Sequence, residues 1–224
     1  MTLLMNGCSF TDIWKPSGDF VKALGCDKIV NLGIEATSFQ RTVRSTIEWI
    51  AQNGKPKFVL APITFSHRWE LALNLHDHPV EGSWIPLQNS NFIKDDIKLQ
   101  GTNAKDLKKL VDDYYKIIPN VKTYYDKVFT DIILLANYLE NNNIRYLMFD
   151  MCNNFDKKDI EGYQGFEKLK LIEQNKNIID LWTFCANEFM YLGMESNTDI
   201  DRYGHHHAPE QYKQLEEAIL NYII

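Results

Sequence analysis

Short apolar runs alternating with helix-period segments predict an α/β fold: a three-layer α/β/α sandwich around a mostly parallel sheet of about five strands. Three observations carry that expectation. Thr2–Met5, Lys28–Leu32, Phe58–Ile63 and Ile144–Phe149 are short apolar runs bounded by turn residues, the pattern of strands buried in a sheet. Between and after them lie stretches whose apolar residues recur every three to four positions. The order of the two kinds, strand and helix in turn, is that of parallel crossover units.

Taken along the chain, the first run stops at Asn6-Gly7 and the second at Gly33, both turn signals. Phe39, Val43, Ile47 and Ile50 then repeat at helical spacing behind Ser38, a fitting N-cap, and Gly54-Lys55-Pro56 ends that helix. The run Phe58–Ile63 is the third strand. Tyr125, Phe129, Ile132, Ala136 and Leu139 make the clearest apolar stripe in the chain, closed by Asn141-Asn142-Asn143. Ile144–Phe149 is the fourth strand and Asn177–Leu181 a candidate fifth. Glu210–Ile223 is a closing helix with Leu215, Ile219 and Tyr222 on one face.

One segment does not fit the alternation. About residues 76–104 hold Pro79, Gly82, Pro86 and Gly101 without a clean period, yet carry Trp84, Ile85, Leu87, Phe92 and Ile93. A loop of that length is uncommon unless it is functional, and this one is too apolar for a linker. It is expected to be a cap-like insertion in a single domain spanning residues 1–224.

Composition narrows the function classes. The chain has 224 residues, 45% hydrophobic and 24% charged, enough to bury a core without disulfides or a structural metal. Its net charge is −6, without the basic surplus a general nucleic-acid binder needs to neutralise phosphates. No apolar run approaches the roughly 20 residues of a membrane span. The first ten residues have no basic start and only a short apolar stretch, so a cytoplasmic location is expected. The four cysteines, Cys8, Cys26, Cys152 and Cys185, form no CxxC pair and read as reduced thiols, the last three as buried small hydrophobes.

In a parallel sheet, ligands bind beyond the carboxyl ends of the strands. That directs attention to Asn6–Thr11, Gly33–Ser38, Pro62–Glu70 and the loop after Leu181. Ser9 directly follows the first strand. A serine on a strand-to-helix turn presents its hydroxyl above the sheet, beside backbone N–H groups able to bind an oxyanion; the alternative is that it caps the next helix. Tyr203-Gly204-His205-His206-His207-Ala208-Pro209 precedes the last helix, where a histidine is placed to act as general base. The same histidines could bind a metal with His67, His76, His78, Asp199 or Asp201, but no spacing supports a ligand set and no metal is expected.

Taken together, the two ends of the chain resemble the SGNH (GDSL-like) hydrolase superfamily, and most closely its phage and environmental bacterial proteins that begin with a Gly-Cys-Ser-Phe-Thr block. The resemblance spans nearly the whole chain and rests on four short blocks. Asn6-Gly7-Cys8-Ser9-Phe10-Thr11 implies Ser9 as nucleophile, its own N–H an oxyanion donor. Asn31-Leu32-Gly33-Ile34-Glu35-Ala36-Thr37-Ser38 implies the Gly33 N–H as a second donor. The third block departs: the family's Gly-x-Asn-Asp is replaced by Ala61-Pro62-Ile63-Thr64-Phe65-Ser66-His67-Arg68-Trp69-Glu70, leaving Thr64 or Ser66 as the third donor. Arg68 is then either a holder of an anionic group or the partner of Glu70 or another carboxylate. In the last block, the family's Asp-x-x-His-Pro is altered. His206 falls in the catalytic position, with Asp201 as the orienting acid if the loop is reshaped; Asp201 then serves His206 or His205.

The resemblance implies a serine esterase acting on a small acyl ester, acetyl in particular, carried by a small molecule or a glycan, with no cofactor. Trp69 and Trp84 are candidates for carbohydrate contact, while Tyr114-Tyr115 and Tyr124-Tyr125 read as helix-contact residues. The departures from the family pattern motivate an alternative, a weakly active or inactive relative binding a glycan or protein partner in the same cleft. A metal-dependent hydrolase built on the histidine run is the third possibility. Neither the substrate nor the oligomeric state is encoded in these motifs.

Overall fold

The computed structural model describes residues 1–34, 37–72, 84–87, 104–117, 121–151, 155, 157–160, 163–182, 184 and 209–223. Its frame is a four-stranded parallel sheet. The strands are β1 (Thr2–Met5), β2 (Lys28–Asn31), β3 (Phe58–Ile63) and β6 (Arg145–Asp150), in the order β2-β1-β3-β6. Register runs Leu3↔Ile29 and Leu3↔Phe58 around the central strand, and Phe58↔Arg145 on its far side. The expected fifth strand is reduced to one parallel bridge, Met148↔Ile178, closed by hydrogen bonds from Met148 N to Asn177 O and from Ile179 N to Met148 O, each 2.9 Å. The described sheet therefore has four full strands where about five were expected. The segment after Asn177 meets β6 too briefly to continue the ladder.

Strand alternation builds the layers. Leu4, Val59, Ala61, Ile63, Tyr146 and Met148 face one side, against helices α3 (Phe39–Asn53), α5 (Val121–Asn141) and α6 (Phe166–Glu173). Leu3, Met5, Phe58, Leu60, Leu147 and Phe149 face the other. There they meet α1 (Ser9–Ile13), α2 (Gly18–Ala23) and the closing helix α7 (Pro209–Ile223). A period of two thus sorts one set of apolar residues into two cores.

Pro62 lies inside β3, where a proline ordinarily breaks a ladder. Leu60 points its carbonyl at β1, accepting from Asn6 N at 3.1 Å, so two residues on Pro62 faces the same way. The β1 pairing has already ended at Met5↔Leu60, so the N–H that proline lacks is not needed.

The expected helices form. Ser38 caps α3, its Oγ accepting from Arg41 N at 3.2 Å, and Asn143 closes the end of α5 with φ 55°. All five residues of the α5 stripe are buried. In α7, Leu215 and Ile219 are buried, but Tyr222 is exposed and its hydroxyl donates to Ile178 O at 3.2 Å, tying the helix to the bridging segment. Helix α4 (Ala104–Ile117) follows the insertion, burying only Ala104, Leu107 and Val111.

The insertion is not wholly irregular. Within it, β5 (Trp84–Leu87) pairs antiparallel with β4 (Trp69–Ala72), a separate two-stranded sheet that starts before residue 76. The rest of residues 76–103, including His76 and His78, lies outside the described residues, as do Cys152, Asn153, Asn154 and Cys185. No described helix is long and apolar enough to cross a membrane. Cys8 and Cys26 are buried and form no disulfide with each other.

Candidate active site

The loops leaving β1, β2 and β3 converge beyond the carboxyl edge of three adjacent strands. Ser9 is the first residue of α1, and the N-cap is Cys8, without a side-chain cap bond. The capping alternative for Ser9 is therefore wrong. Its side chain is half-buried, and its hydroxyl takes no hydrogen-bond partner among the described residues.

Two glycines let the loops come this close. A Cβ on Gly7 would run into Thr11 Oγ1. A Cβ on Gly33 would sit 2.5 Å from Asp12 N and 2.9 Å from Thr11 C, both backbone atoms of α1. Gly33 is thus a contact point between the second loop and the helix that Ser9 begins. Its N–H donates to Asn31 Oδ1 at 2.9 Å, while Asn31 Nδ2 caps the carbonyl of Thr11 at 2.6 Å. To serve as an oxyanion donor, Gly33 would have to exchange the Asn31 oxygen for the substrate's.

Under this turn lies a polar core that the helix period does not suggest. Asn6 is fully buried at the end of β1. Its Nδ2 donates to Thr42 O (3.1 Å), Ser45 Oγ (2.9 Å) and Thr46 Oγ1 (2.9 Å) on α3. Its Oδ1 accepts from Arg41 at 3.3 Å, and Arg41 also reaches Leu32 O at 2.9 Å. The buried face of α3 therefore carries Arg41, Thr42, Ser45 and Thr46, whereas Val43 and Ile47 are only half-buried. An amide at the strand end must have its hydrogen bonds met inside, and α3 meets them. The one hint in the sequence is the Arg-Thr and Ser-Thr pairs four positions apart.

The third loop places Thr64 and Ser66 in the interior, at 0% and 8% exposure. Arg68 is buried as well; its guanidinium donates to Thr37 O at 3.4 Å and lies 4.4 Å from the Phe65 ring centre. Glu70, a candidate partner of Arg68, takes Arg44 at 3.3 Å. Burial and then the Arg68 charge hold the His67 pKa below its ordinary value. Trp69 is engaged by protein groups, with the Tyr114 ring edge-on at 5.1 Å and the Lys127 ammonium 5.1 Å from its centre. Tyr115, on α4, donates to His67 O in the third loop at 3.0 Å.

The last helix reaches back to the first turn. Tyr212 OH donates to Phe10 O at 2.7 Å, and its ring stacks on Trp14 at 5.6 Å. Glu216 accepts from Trp14 Nε1 at 3.1 Å, Ser17 N at 2.9 Å and Ser17 Oγ at 2.5 Å. Asp201, Tyr203 and His205–His207 lie outside the described residues, as does the side chain of Trp84. No cluster of three potential metal ligands occurs among the described residues.

No protein-family model matches the chain, and no curated protein matches it significantly. Among solved structures, it is similar to the psychrotrophic esterase EstA from Pseudoalteromonas sp., at 12% identity and TM-score 0.48, over 99% of this chain and 96% of that one. It is similar to a protein assigned as an acylhydrolase from Bacteroides fragilis NCTC 9343, at 14% identity and TM-score 0.45, over 98% and 86%. A protein assigned to the G-D-S-L lipolytic family from Desulfitobacterium hafniense DCB-2 aligns at 13% identity and TM-score 0.46, over 99% and 98%. Likeness at this level assigns neither a residue nor an activity to this chain.

Proposed function

We propose that the protein is a serine esterase of the SGNH type, cleaving a small acyl ester, acetyl in particular, from a small molecule or a glycan. The observation that carries the reading is the setting of Ser9: first residue of a helix at the carboxyl end of the central strand, half-exposed, with its hydroxyl uncommitted to any described residue. The tie from α7 supports His206 as its base. His206 precedes Pro209 by three residues, a reach of at most about 11 Å, and the first turns of α7 are bonded to Phe10, the residue after Ser9.

In this mechanism Ser9 Oγ attacks the ester carbonyl while His206 takes its proton. The N–H of Ser9, and of Gly33 once released from Asn31, receive the oxyanion, with Thr64 or Ser66 as a further donor. The C–O bond to the alcohol breaks, and the alcohol leaves with the proton from His206. Water, deprotonated by His206, then splits the acyl-serine into acid and free Ser9. Asp201 orients the imidazole, and Arg68 contributes to the cleft wall. No metal or cofactor enters these steps.

The test is hydrolysis of p-nitrophenyl acetate by wild type, Ser9→Ala and His206→Ala, each checked for folding and repeated after chelation. Turnover is expected in wild type with or without chelator, falling by about 10⁴ or more in Ser9→Ala. Equal rates in wild type and Ser9→Ala refute the serine mechanism, and loss on chelation points to a metal hydrolase. A second reading, ligand binding with little catalysis, is favoured by one observation, the commitment of the Gly33 N–H to Asn31.

A further inference from the structure

We propose that Tyr212 and Glu216 of α7 are positioning residues for Ser9: two buried anchors through which the last helix sets the orientation of the Ser9 hydroxyl and of the N–H groups at the start of α1. The proposal rests on the reading of Ser9 as nucleophile.

Helix α1 has only five residues and its N-cap, Cys8, makes no side-chain cap bond. A helix that short does not hold its own geometry, so its orientation comes from what grips it. Asn31 grips its middle at Thr11 O. The near end is gripped by Tyr212, whose hydroxyl bonds the carbonyl one residue beyond Ser9. That carbonyl lies in the Phe10–Thr11 peptide, one plane beyond the Ser9–Phe10 peptide, so holding it limits how far the first turn of α1, and Ser9 with it, can rotate. Phe10 and Tyr212 are 6% exposed each, so no bulk water stands ready to replace the phenol. Burial, with a smaller contribution from Cys8, pushes the Tyr212 pKa upward, keeping the hydroxyl a donor.

Glu216 holds the other side of the same lever. It is 4% exposed and gathers Trp14 and Ser17 from the chain just after α1, while the Trp14 ring stacks on Tyr212. The donors from Trp14 Nε1 and Ser17 N converge on Oε1, and among the described residues only the Ser17 hydroxyl meets Oε2. A glutamine can keep all three contacts, its amide oxygen replacing Oε1 and its NH₂ donating to Ser17 Oγ. An alanine keeps none.

The experiment compares Tyr212→Phe, Glu216→Gln, Glu216→Ala and a control, Ile219→Val, which trims the same helix face and core without touching the anchors' hydrogen bonds. Each is assayed for kcat and KM on p-nitrophenyl acetate, for the rate at which a fluorophosphonate probe labels Ser9, and for Tm. Tyr212→Phe is expected to lower kcat and the labelling rate together by about tenfold to a hundredfold, with KM within about twofold. Glu216→Ala follows it and Glu216→Gln stays near wild type. Ile219→Val loses Tm without losing kcat. A kcat for Tyr212→Phe within twofold of wild type, or a fall no larger than that of the control, overturns the proposal. If Tyr212→Phe does not fold, the Glu216 pair decides: Glu216→Gln as slow as Glu216→Ala overturns it. Should Ser9→Ala hydrolyse as fast as wild type, the nucleophile reading fails and the positioning role with it. Should Ser9→Ala be inactive and Tyr212→Phe normal, only the positioning role fails.

Discussion

Replacing Asn6 by alanine tests the polar core beneath the Ser9 turn. The side chain offers two protons to three acceptors, at 2.9–3.1 Å, and accepts from Arg41 at 3.3 Å. Two protons serve about two full bonds, worth about 1 kcal/mol each, and the long bond from the cation adds about 1 more. Most partners keep other contacts: Ser45 Oγ still donates to Arg41 O at 2.8 Å, and Arg41 still reaches Leu32 O at 2.9 Å. The cost is therefore mainly that of the lost bonds, about 3 kcal/mol, or about 6–12 °C in Tm for a domain of this size. Urea unfolding followed by circular dichroism gives the free energy, and a thermal scan gives Tm. Asn6→Asp should be no milder, since it keeps an acceptor for Arg41 but loses both donated bonds. A loss below about 1 kcal/mol in Asn6→Ala would refute the claim that this network holds the end of β1.

Two further outcomes follow from other sites. Gly33→Ala places a methyl group against the α1 backbone, 2.5 Å from Asp12 N. It should cost about 1–3 kcal/mol and most of the ester hydrolysis proposed for Ser9, whereas Gly18→Ala, with nothing within 4 Å, should cost neither; equal behaviour of the two in thermal scans and ester hydrolysis would contradict this. Burial raises the Asp131 pKa from 3.8 to about 6, against the opposing pull of Lys127 at 3.9 Å. A carboxyl whose folded pKa is raised binds its proton more tightly when folded, so its contribution to stability is greatest below about pH 4 and is lost as pH rises to 6, by up to about 3 kcal/mol. Asp131→Asn should flatten that part of the pH–stability curve, and an unchanged slope would show that other groups set it.

The sheet could be read from the sequence because its strands are short apolar runs cut off by turn residues, and neither signal depends on distant partners. Helices α5 and α7 were visible for a similar reason, an apolar stripe at helical period. What escaped was set by tertiary contacts. The apolar stripe of α3 points to Val43 and Ile47, yet the helix turns Arg41, Thr42, Ser45 and Thr46 inward because Asn6 needs partners. Helices α1 and α2, of five and six residues, are too short to show a period. The β4–β5 pairing draws one strand from inside the insertion and one from before it, which no local pattern announces. In the candidate site, Ser9 and Gly33 stand out as turn residues after strands, but Tyr212 and Glu216 look like ordinary positions of an amphipathic helix until Phe10, Trp14 and Ser17 are seen against them.

The bond from Tyr212 to Phe10 spans 202 positions. Contacts that distant in sequence form late, because loop closure must precede them. During synthesis β1, β2 and β3 emerge within the first 63 residues and can pair while the ribosome is still working. The turn that carries Ser9 then waits for α7. The nascent chain can thus hold most of its sheet without the grip on Phe10, so the ester hydrolysis proposed for Ser9 should appear only once α7 has docked and should be lost when that helix frays.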